Sequence, residues 1–518
     1  MALLNFSRLI AGIVFLPSLV LAGDVPAKVS FVLDPGIRHQ TMDNFGANDA
    51  WSLQKIGAWS EADKTRIADL LFSTNTGIGL SAWRFYVGAG LNTNTIRDSW
   101  RTAETFAVAP GKYDWSREAG ERWFLRAAKA RGVHQFLATV YSPPGWLTRN
   151  GLSNLGADTN STTNLKPGDE DEFSGYITDI LLHFRGNTDE RERIEFDYVL
   201  PVNEPQWNWQ RGQEGNRASN DDLKRVYIAL ARHLKSAGLK SKILGPESGN
   251  VPDMLSLDAS AGKKWHADYG NYLKLICAEP EISAGFGGVV SYHSYWSDLI
   301  PDQLVPDRER LGQAMKDYPG WKIWQTEYCV MVRGRDLTMD TALRVARVID
   351  CDLTLVNTSA WQWWLAVANE DFKSGLIYTD YQKSGDPENI LESKTFWVMG
   401  NYSRFIRPGM ERVELRGEKP LDLQGVLGSA FLDPHSDQMV IVLINLSHQT
   451  RQVHIAFAGV GKSSIRLKQF TPYITSPNDN LRKAIPTDFE NEVLLPPDSV
   501  VTFVSNPEKQ DGFQPLSP

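Results

Sequence analysis

Eight short apolar or β-branched segments alternate with longer amphipathic segments between about residue 40 and residue 405. The predicted strands are Asp43–Asp49, Leu80–Val87, Gln135–Ser142, Phe196–Glu204, Lys242–Ser248, Gly288–Trp296, Lys322–Tyr328 and Thr358–Leu365. Helical periodicity marks segments between them, such as Glu61–Leu71, Arg117–Ala130, Asp221–Ser236 and Thr341–Asp350. Eight strand–helix alternations predict an α/β fold, specifically a (β/α)8 or TIM barrel.

A polar or aromatic side chain stands at or near the end of each predicted strand. These side chains are Asp49, Arg84, Ser142, Glu204, Glu247, His293, Glu327 and Trp361. In barrels of this type the catalytic residues come from the carboxyl ends of the strands, whereas the strand interiors fill the core. The sequence therefore predicts a site at these strand ends.

The pattern changes after about Arg407. Segments there alternate apolar and polar residues, as in QMVIVLINLS and DSVVTFVSN, and Gly, Pro, Asn and Asp separate them. This alternation is typical of antiparallel strands and predicts an attached β-sandwich side domain. The early strand Lys28–Asp34 has no helix after it, so we expect it to join that sheet. The predicted boundaries are residues 23–39 for this strand, 40–405 for the barrel, 406–507 for the sandwich and 508–518 for a disordered tail.

The amino-terminal segment has the features of a secretory signal. Arg8 precedes an apolar run from Leu9 to Ala22, which is too short to cross a bilayer and contains Pro17. Val20 and Ala22 are small residues that suit a signal peptidase, so we predict a signal peptide over residues 1–22. No later segment of the sequence is long and apolar enough to span a membrane. We therefore expect a secreted or periplasmic protein.

The composition excludes some classes of partner. The formal net charge is -8, the isoelectric point is near 5.7 and the sequence has no basic block. These features argue against nucleic acid and anionic membranes as partners. Many of the 17 Trp and 16 Tyr stand beside Asn, Gln or Ser and not inside apolar runs. We expect a monomer that binds a polysaccharide or oligosaccharide substrate.

Two glutamates terminate apolar strands at related positions. Glu204 lies in PVNEPQW at the end of the fourth predicted strand, and Glu327 lies in IWQTEYC at the end of the seventh. These strand ends face one another across the mouth of an eight-stranded barrel. A pair of carboxyl groups there suits glycoside hydrolysis, in which one protonates the leaving oxygen and the other attacks the anomeric carbon. A separation of roughly 5–5.5 Å would indicate the retaining, double-displacement route.

Residues near the other strand ends are candidates for supporting roles. Arg84, His293 and Tyr295 are placed to keep the nucleophile ionised, and Asn203 is placed to hydrogen-bond the sugar 2-hydroxyl. Aromatic rings offer flat platforms for the C–H faces of sugars. The candidate platforms are Trp146, Trp207, Trp209, Trp296, Trp361 and Trp363. Alternation along a strand puts the last two on one face, and we expect one of them to form the floor of the subsite where the bond breaks.

Each candidate also has a purely structural interpretation. A lone Glu at a strand end is most often solvated or paired with a cation. Arg84 could neutralise a buried acid, His293 could be a core histidine with satisfied hydrogen bonds, and Trp146 and Trp363 could pack in the core. Glu247 in GPESG is a competing carboxylate, for which the adjacent Gly and Pro favour a loop-positioning role.

Two other classes of protein remain open at this point. One is a non-catalytic carbohydrate-binding barrel, and the other is a metal-dependent hydrolase. The sequence contains no His-x-His pair, no HExxH motif and no Gly-x-Ser-x-Gly elbow. We therefore expect neither a metal nor an organic cofactor. The three cysteines, Cys277, Cys329 and Cys351, cannot all pair within one chain.

Several motifs together resemble glycoside hydrolase family 30, within the large clan of (β/α)8 retaining glycosidases. They are NFGAND, WRFYVGAG, YSPPGW, PVNEPQW, HSYW and WQTEY, followed by LLPPDSVVTFV near the carboxyl terminus. The resemblance implies that Glu204 is the acid/base and that Glu327 is the nucleophile. It also implies a β-sandwich, built partly from the N-terminal strand, packed against the barrel.

Within that family, two loop regions are most similar to endo-β-1,6-galactanases: NEPQWNW followed by RGQEG, and SAWQWWLAV followed by DFKSGLIY. The implied function is a secreted, retaining, endo-acting hydrolase of β-1,6-galactan, such as the side chains of arabinogalactan. The alternatives are the same chemistry on β-1,6-glucan, glucuronoxylan or glucosylceramide. The segment FGANDAW departs from the more Trp-rich first strand expected of the family. Asp49 in it is a candidate to bind sugar hydroxyls.

Overall fold

The computed structural model describes residues 26–91, 95–259, 267–298, 301–380, 389–417, 421–459, 469–489 and 491–506. The predicted signal peptide and the predicted carboxyl-terminal tail lie outside these residues. The described residues form a mixed α/β fold with a curled parallel sheet and a separate, antiparallel-rich sheet.

The strands, in chain order, begin with β1 (Ala27–Thr41), β2 (Asn44–Asn48), β3 (Ala82–Val87), β4 (Ala107–Ala109), β5 (Lys112–Tyr113), β6 (Gln135–Val140) and β7 (Tyr198–Leu200). They continue with β8 (Lys242–Ile243), β9 (Val289–His293), β10 (Lys322–Glu327), β11 (Ala360–Ala368), β12 (Gly375–Tyr378), β13 (Leu391–Glu392) and β14 (Glu411–Arg416). The last are β15 (Val426–Leu432), β16 (Met439–Asn445), β17 (Arg451–Phe457), β18 (Phe470–Thr475), β19 (Arg482–Lys483), β20 (Val493–Leu495) and β21 (Ser499–Ser505).

The α-helices are α1 (Ser52–Ile56), α2 (Glu61–Phe72), α3 (Ala119–Ala130), α4 (Glu170–Arg185), α5 (Asn220–Ser236), α6 (Val251–Leu255), α7 (Tyr272–Cys277), α8 (Pro280–Ser283), α9 (Pro301–Met315), α10 (Met339–Cys351) and α11 (Lys394–Ser403). Among the helices that the structure describes, none combines the length and the apolar character needed to cross a membrane.

The parallel sheet brings the carboxyl ends of its strands to one rim. Its parallel neighbours follow the order β8, β7, β6, β3, β2, β11, β10 and β9. The two end strands are linked as well, because the amide of Ser291 donates to the Gly245 carbonyl (2.8 Å) and that of His293 to the Ser248 carbonyl (2.8 Å). One apolar cluster takes residues from successive strands and fills the interior below the rim: Ala82, Leu137, Leu200, Leu244, Val289, Trp324 and Ala360.

The helices form around apolar faces of helical period, as α5 shows. Its buried side chains include Leu223, Val226, Leu230 and Leu234, which recur every three or four residues on one side. Ser219 begins this helix with a capping box, in which its hydroxyl accepts from the Asp222 amide and the Asp222 carboxylate accepts from the Ser219 amide (3.0 Å). The capping box therefore specifies where the helix begins, and the apolar stripe specifies which side of it is buried.

The second sheet has the strand order β19, β18, β21, β16, β15, β14, β1, β17 and β20. Strand β1 pairs antiparallel with β14 and parallel with β17, so the first described strand belongs to this sheet. Alternate residues of β16 enter two different cores: Val440, Val442 and Ile444 join the core that surrounds the parallel sheet, whereas Met439, Ile441 and Leu443 join a core of their own. Both faces of this sheet are therefore covered, and one of them packs against helices α10 and α11 through apolar burial.

Four buried acids lie beside the start of α3: Asp49, Glu118, Glu121 and Glu214. No described donor reaches either carboxylate oxygen of Glu118 or of Glu121. Burial raises the pKa of both groups well above the ordinary value, and their mutual proximity adds to the rise for Glu121. Burial likewise raises the pKa of Glu214 to about 8. The folded protein therefore binds protons here more tightly than the unfolded chain does.

A group with a raised pKa in the folded state stabilises the fold at low pH, and this stabilisation is lost as the pH rises through that value. The unfolding free energy of the unsubstituted protein should fall between pH 5 and pH 9. We expect this fall to be smaller by about 1–3 kcal/mol in Glu121→Gln. The Gln amide needs no proton and can donate to Glu118. Denaturant unfolding at both pH values measures the effect. Glu190→Gln, at an exposed position, is the control, and equal pH dependence in the two variants would contradict the prediction.

Candidate active site

Two carboxyl groups meet at the rim of the parallel sheet. Glu204 follows β7 and Glu327 ends β10. One carboxylate oxygen of each and Nδ1 of His293 lie within 4.8 Å of one another. The two glutamates are only 5% and 3% exposed, yet both line a cavity of about 270 Å³. The other lining residues are Trp207, Trp209, Gln213, Tyr295, Trp296, Met331 and Trp364.

The backbone is strained where it presents these side chains. Glu204, Glu247 and Trp296 have φ values of 43°, 58° and 64°, in the left-handed region that residues with a Cβ rarely adopt. Such a conformation costs about 1–3 kcal/mol and persists only where the surroundings enforce it. Here the amide of Glu204 donates to the Glu247 carbonyl (2.9 Å). The turns after two neighbouring strands are therefore tied together.

Glu327 reaches the site through an irregularity in strand pairing. The register between β9 and β10 shifts between Gln325 and Glu327. An irregularity of this kind redirects the next side chain. It allows both Thr326 and Glu327 to contact groups of the site, although consecutive residues of a regular strand point to opposite faces.

Three donors surround the Glu327 carboxylate. The hydroxyl of Tyr295 donates to Oε1 (2.9 Å), and that of Tyr141 donates to Oε2 (3.1 Å). A guanidinium nitrogen of Arg84 lies 3.6 Å from Oε2. Tyr141 also accepts from the Asn48 amide (2.7 Å), which holds its hydroxyl hydrogen toward Glu327. Hydrogen bonds to both oxygens stabilise the ionised form of a carboxyl group.

A third carboxylate, Glu247, connects the charged groups beneath the cavity. It accepts from Arg84 (2.8 Å) and from the Thr326 hydroxyl (2.7 Å), and it lies 3.3 Å from Nε2 of His293. Arg84 also donates to the Thr326 carbonyl. Burial alone would raise the pKa of Glu247, but Arg84 and His293 lower it to about 2. Glu247 is therefore a permanent anion.

His293 and Glu327 respond to this field in different ways. Burial lowers the pKa of His293, but Glu327, Glu204 and Glu247 together raise it to about 10. Burial raises the pKa of Glu327 to about 7, with Glu204 and Glu247 adding to the rise and with His293 and Arg84 opposing it. Glu327 therefore takes up a proton at a higher pH than an ordinary carboxyl group does.

Six further residues were predicted to belong to the site, and only some of them lie close to the two glutamates. Arg84, His293 and Tyr295 contact them directly, as described above. Asn203, next to Glu204, is buried and its amide oxygen takes no hydrogen bond from a described donor. Trp207 lines the cavity. Trp146 lies half-buried on the turn Gly145–Leu147 and is not among the lining residues.

On β11, the residue that lines the cavity is a neighbour of the two predicted tryptophans. Trp361 and Trp363 are fully buried outside the cavity, where their indole nitrogens donate to Asp352 (2.9 Å) and to the Ser374 carbonyl (2.6 Å). Trp364 lines the cavity instead. Alternation places Ala360, Gln362 and Trp364 on the interior face. Both faces of this strand are buried and carry large apolar residues, so hydrophobicity alone does not identify the interior one.

Asp49 also lies away from the cavity. One carboxylate oxygen accepts from the Tyr86 amide (2.8 Å), and the side chain is fully buried among the acids beside α3. Burial and the nearby Glu121 raise its pKa well above the ordinary value. The structure therefore does not place Asp49 where it could contact a ligand in this cavity.

Four residues of the site were not among the sequence candidates: Tyr141, Gln213, Met331 and Trp364. Tyr141 begins the YSPPGW motif, and Trp364 directly follows Trp363, so both lie beside residues that the sequence singles out. Trp207 and Trp209 each rest on a glycine, because a Cβ at Gly249 or Gly215 would come within 2.2 Å or 2.3 Å of the indole. These two glycines are the sequence signal for where the rings lie.

A second hollow of about 300 Å³ adjoins the cavity. It shares Trp207, Tyr295 and Trp296 with the first and is otherwise lined by Asn250, Pro252, Ser297, Gln303 and Asp307. Trp296 is 44% exposed between the two hollows. The accessible groove therefore extends beyond the two glutamates on this side.

The geometry of Glu204, His293 and Glu327 would in principle suit a divalent cation. A histidine must be deprotonated to bind a metal ion. His293 has its nitrogens 2.9 Å and 3.3 Å from carboxylate oxygens, an arrangement that favours the protonated ring. The three groups are therefore better suited to holding protons than to holding a metal ion.

Comparison with known proteins gives consistent matches. The sequence model described as O-Glycosyl hydrolase family 30 matches residues 28–378. The lysosomal acid glucosylceramidase of Mus musculus is 23% identical over 185 residues, a stretch that spans 33% of either chain. The alignment thus covers about a third of the length of that curated relative.

Solved structures match over most of the chain. A conserved exported protein from Bacteroides fragilis is 28% identical, with a TM-score of 0.81 over 92% of this chain and 100% of that one. An endo-β-1,6-glucanase is 18% identical, with a TM-score of 0.67 over 96% of this chain and 95% of that one. At this lower identity the second likeness concerns the fold alone.

A protonated His293 predicts that a metal ion does not bind between the two glutamates. Zn²⁺ titrated into the protein at pH 7 should show no binding that is lost in Glu204→Gln. Calorimetric titration of both proteins measures this, and the variant subtracts binding at other histidines. A site of micromolar affinity present only in the unsubstituted protein would contradict the prediction.

Proposed function

The chain belongs to O-glycosyl hydrolase family 30, whose sequence model matches more than half of it, and we propose that it is a retaining, endo-acting hydrolase of β-1,6-linked galactan. In this proposal Glu204 is the acid/base and Glu327 is the nucleophile, on a (β/α)8 barrel. The substrate is a polysaccharide or oligosaccharide such as an arabinogalactan side chain.

One observation carries the proposed chemistry: a carboxylate oxygen of Glu204 and one of Glu327 lie within 4.8 Å at the base of one cavity. Retaining glycosidases hold their carboxyl groups roughly 5–5.5 Å apart, whereas inverting ones leave several ångströms more for a water molecule. The short separation supports attack by one carboxylate on the anomeric carbon while the other transfers a proton.

The donors around each group support the division of roles. Glu327 takes hydroxyl donors on both oxygens, which favours its ionised form and its departure in the second step. Burial raises its pKa to about 7, opposite to what a nucleophile needs. The hydroxyl donors and the nearby Arg84 oppose this rise, which supports Glu327 as the nucleophile and leaves proton transfer to Glu204.

The mechanism then follows a double displacement. Glu327 attacks the anomeric carbon as the bond to the leaving oxygen breaks, and Glu204 gives its proton to that oxygen. Glu204 next accepts a proton from water, which attacks the glycosyl ester and releases Glu327. Trp207, Trp209 and Trp364 border the cavity where the sugar would stack.

The loop that resembles galactanases supports the proposed substrate. RGQEG (residues 211–215) contributes Gln213 to the cavity wall, and its Gly215 leaves room for Trp209. Glu214 of the same loop accepts from the Tyr86 hydroxyl and from the Ala89 amide (3.1 Å), which anchors the loop. The residues behind the resemblance therefore lie where a sugar unit would be selected.

Export is proposed as well. The similar structure from Bacteroides fragilis is that of a conserved exported protein, and residues 1–22 of this chain have the features of a secretory signal.

We expect purified protein to cleave β-1,6-galactan in preference to β-1,6-glucan, glucuronoxylan and glucosylceramide. Incubation with each, followed by product sizing and proton NMR of the first anomer released, measures specificity and stereochemistry. Release of the β-anomer from galactan is expected. Equal or faster cleavage of another glycan would contradict β-1,6-galactan as the preferred substrate. Release of the α-anomer would overturn the retaining route.

The two roles can be separated with azide on an aryl β-1,6-galactobioside whose leaving group needs no proton. Glu204→Ala should lose about 100-fold or more on galactan and give a β-glycosyl azide from the aryl substrate. Glu327→Ala should give the α-azide, because azide then attacks the substrate directly. The opposite pattern would exchange the two assignments.

The groove beyond Trp296 predicts an extended binding site. We expect Trp296→Ala to raise KM for long galactan about 10-fold, the equivalent of about 1.4 kcal/mol, because a stacking face is lost. Trp296→Phe, which keeps an aromatic ring, should retain most of the affinity. Unchanged KM and product sizes in Trp296→Ala would show that sugars do not bind on this side.

A further inference from the structure

Glu247 does not line the cavity, yet it contacts Arg84 and His293, the two basic side chains beside the glutamates. Its carboxyl group is fully buried and binds Arg84, Thr326 and His293 at 2.8, 2.7 and 3.3 Å. Its own carbonyl accepts from the Glu204 amide. It is therefore placed to act on the site through its neighbours.

His293 is held between two carboxylates. Its Nδ1 lies 2.9 Å from Oε1 of Glu204, and its Nε2 lies 3.3 Å from Oε2 of Glu247. Nδ1 is also 4.0 Å from Oε1 of Glu327, and the Tyr295 ring packs edge-on against the imidazole. A neutral imidazole has only one N–H, so it would set a bare nitrogen against one of the two carboxylates.

Two arrangements avoid that repulsion. In one, His293 is an imidazolium that donates to Glu204 and to Glu247. In the other, His293 is neutral, keeps its proton on Nε2, and accepts at Nδ1 the proton of a protonated Glu204. Nε2 donates to Glu247 in both arrangements. They differ only in which atom, Nδ1 or Glu204 Oε1, carries the second proton.

Building on the proposed function, we propose that Glu247, His293 and Glu204 form a proton relay, in which Glu247 fixes the proton on Nε2 and the second proton moves between Nδ1 and the acid/base. Glu247 and His293 are positioning residues here, since neither lines the cavity. Arg84 and Thr326 hold the Glu247 carboxylate in place.

The relay balances in both steps. In the first, the Nδ1–H bond breaks as a Glu204 O–H bond forms, and that proton passes to the leaving oxygen while Glu327 bonds the anomeric carbon. In the second, water gives a proton to Glu204, which returns it to Nδ1 as the ester to Glu327 breaks. The overall reaction consumes only water.

A purely structural role for Glu247, as the counterion of Arg84, makes a different prediction. Loss of the counterion would disturb Arg84 and Glu327 and would slow the reaction on every substrate. Loss of the relay slows the glycosylation step only where the leaving oxygen needs a proton. Leaving-group dependence therefore distinguishes the two roles.

The test compares the unsubstituted protein, Glu247→Gln and Glu247→Asp on β-1,6-galactan and on the aryl β-1,6-galactobioside. For Glu247→Gln we expect a fall in kcat of about 100-fold on galactan and of less than 5-fold in the aryl glycosylation step, measured as the aryl burst. Glu247→Asp, which keeps the charge, should recover part of the loss on galactan. Equal losses on both substrates would overturn the relay and leave a counterion role.

A second measurement does not depend on activity. In ¹⁵N NMR, both ring nitrogens of His293 should stay protonated from pH 6 to pH 9 in the unsubstituted protein, and the ring should titrate within this range in Glu247→Gln. Glu247→Gln must retain the thermal unfolding profile for the comparison to hold. If galactan is not cleaved but this NMR difference appears, the proposed substrate fails and the coupling of Glu247 to His293 stands. If the ring behaves identically in both proteins, the relay is wrong whatever the activity.

Discussion

The site depends on buried charges that neutralise one another. Arg84 and His293 lie among Glu204, Glu247 and Glu327, and all five side chains are almost completely removed from water. An unpaired charge in such a place costs several kcal/mol, and a paired one needs its remaining hydrogen-bonding groups satisfied. The five groups come from different strands of the sheet, so the network forms only when those strands are correctly assembled. This gives the carboxyl-end rim its fixed geometry.

The parallel sheet brings the members of that network together. Its strands end at one rim, above an apolar interior built from Leu137, Leu200, Trp324 and similar residues. The amides and carbonyls at the rim are already used in turns, such as the bond from the Glu204 amide to the Glu247 carbonyl. Backbone strain at Glu204, Glu247 and Trp296 is therefore held by surrounding structure. The result is a preorganised set of donors around one carboxylate, which is what stabilisation of developing charge requires.

Loops that follow the strands determine the shape of the groove above the charges. Trp207 and Trp209 rest on Gly249 and Gly215, where a side chain would collide with them. The second sheet packs behind the helices, through residues such as Val440 and Val442. The residues that line the two hollows come from the parallel-sheet part of the chain. The charged groups thus come from the strand ends, whereas the loops supply aromatic rings such as Trp207 and Trp209 that border the groove.

The sequence by itself determined most of the secondary-structure elements and the family resemblance. Eight strands of the parallel sheet were predicted, six of them to within three residues at either end, whereas β7 and β8 end four and five residues before the predicted positions. The prediction succeeds because short apolar runs between amphipathic helices are a local pattern. The position of polar residues near the strand ends made Glu204, Glu327, Arg84 and His293 candidates for the site. Only the tertiary structure decided which groups meet. It placed Trp364 in the cavity, and not Trp361 or Trp363. The sequence does not reveal this, because β11 is buried on both faces and hydrophobicity does not show which face is interior. The tertiary structure also brought Tyr141 to Glu327 and Glu247 to His293, since contacts between distant strands depend on register and irregular pairing, which no local pattern records.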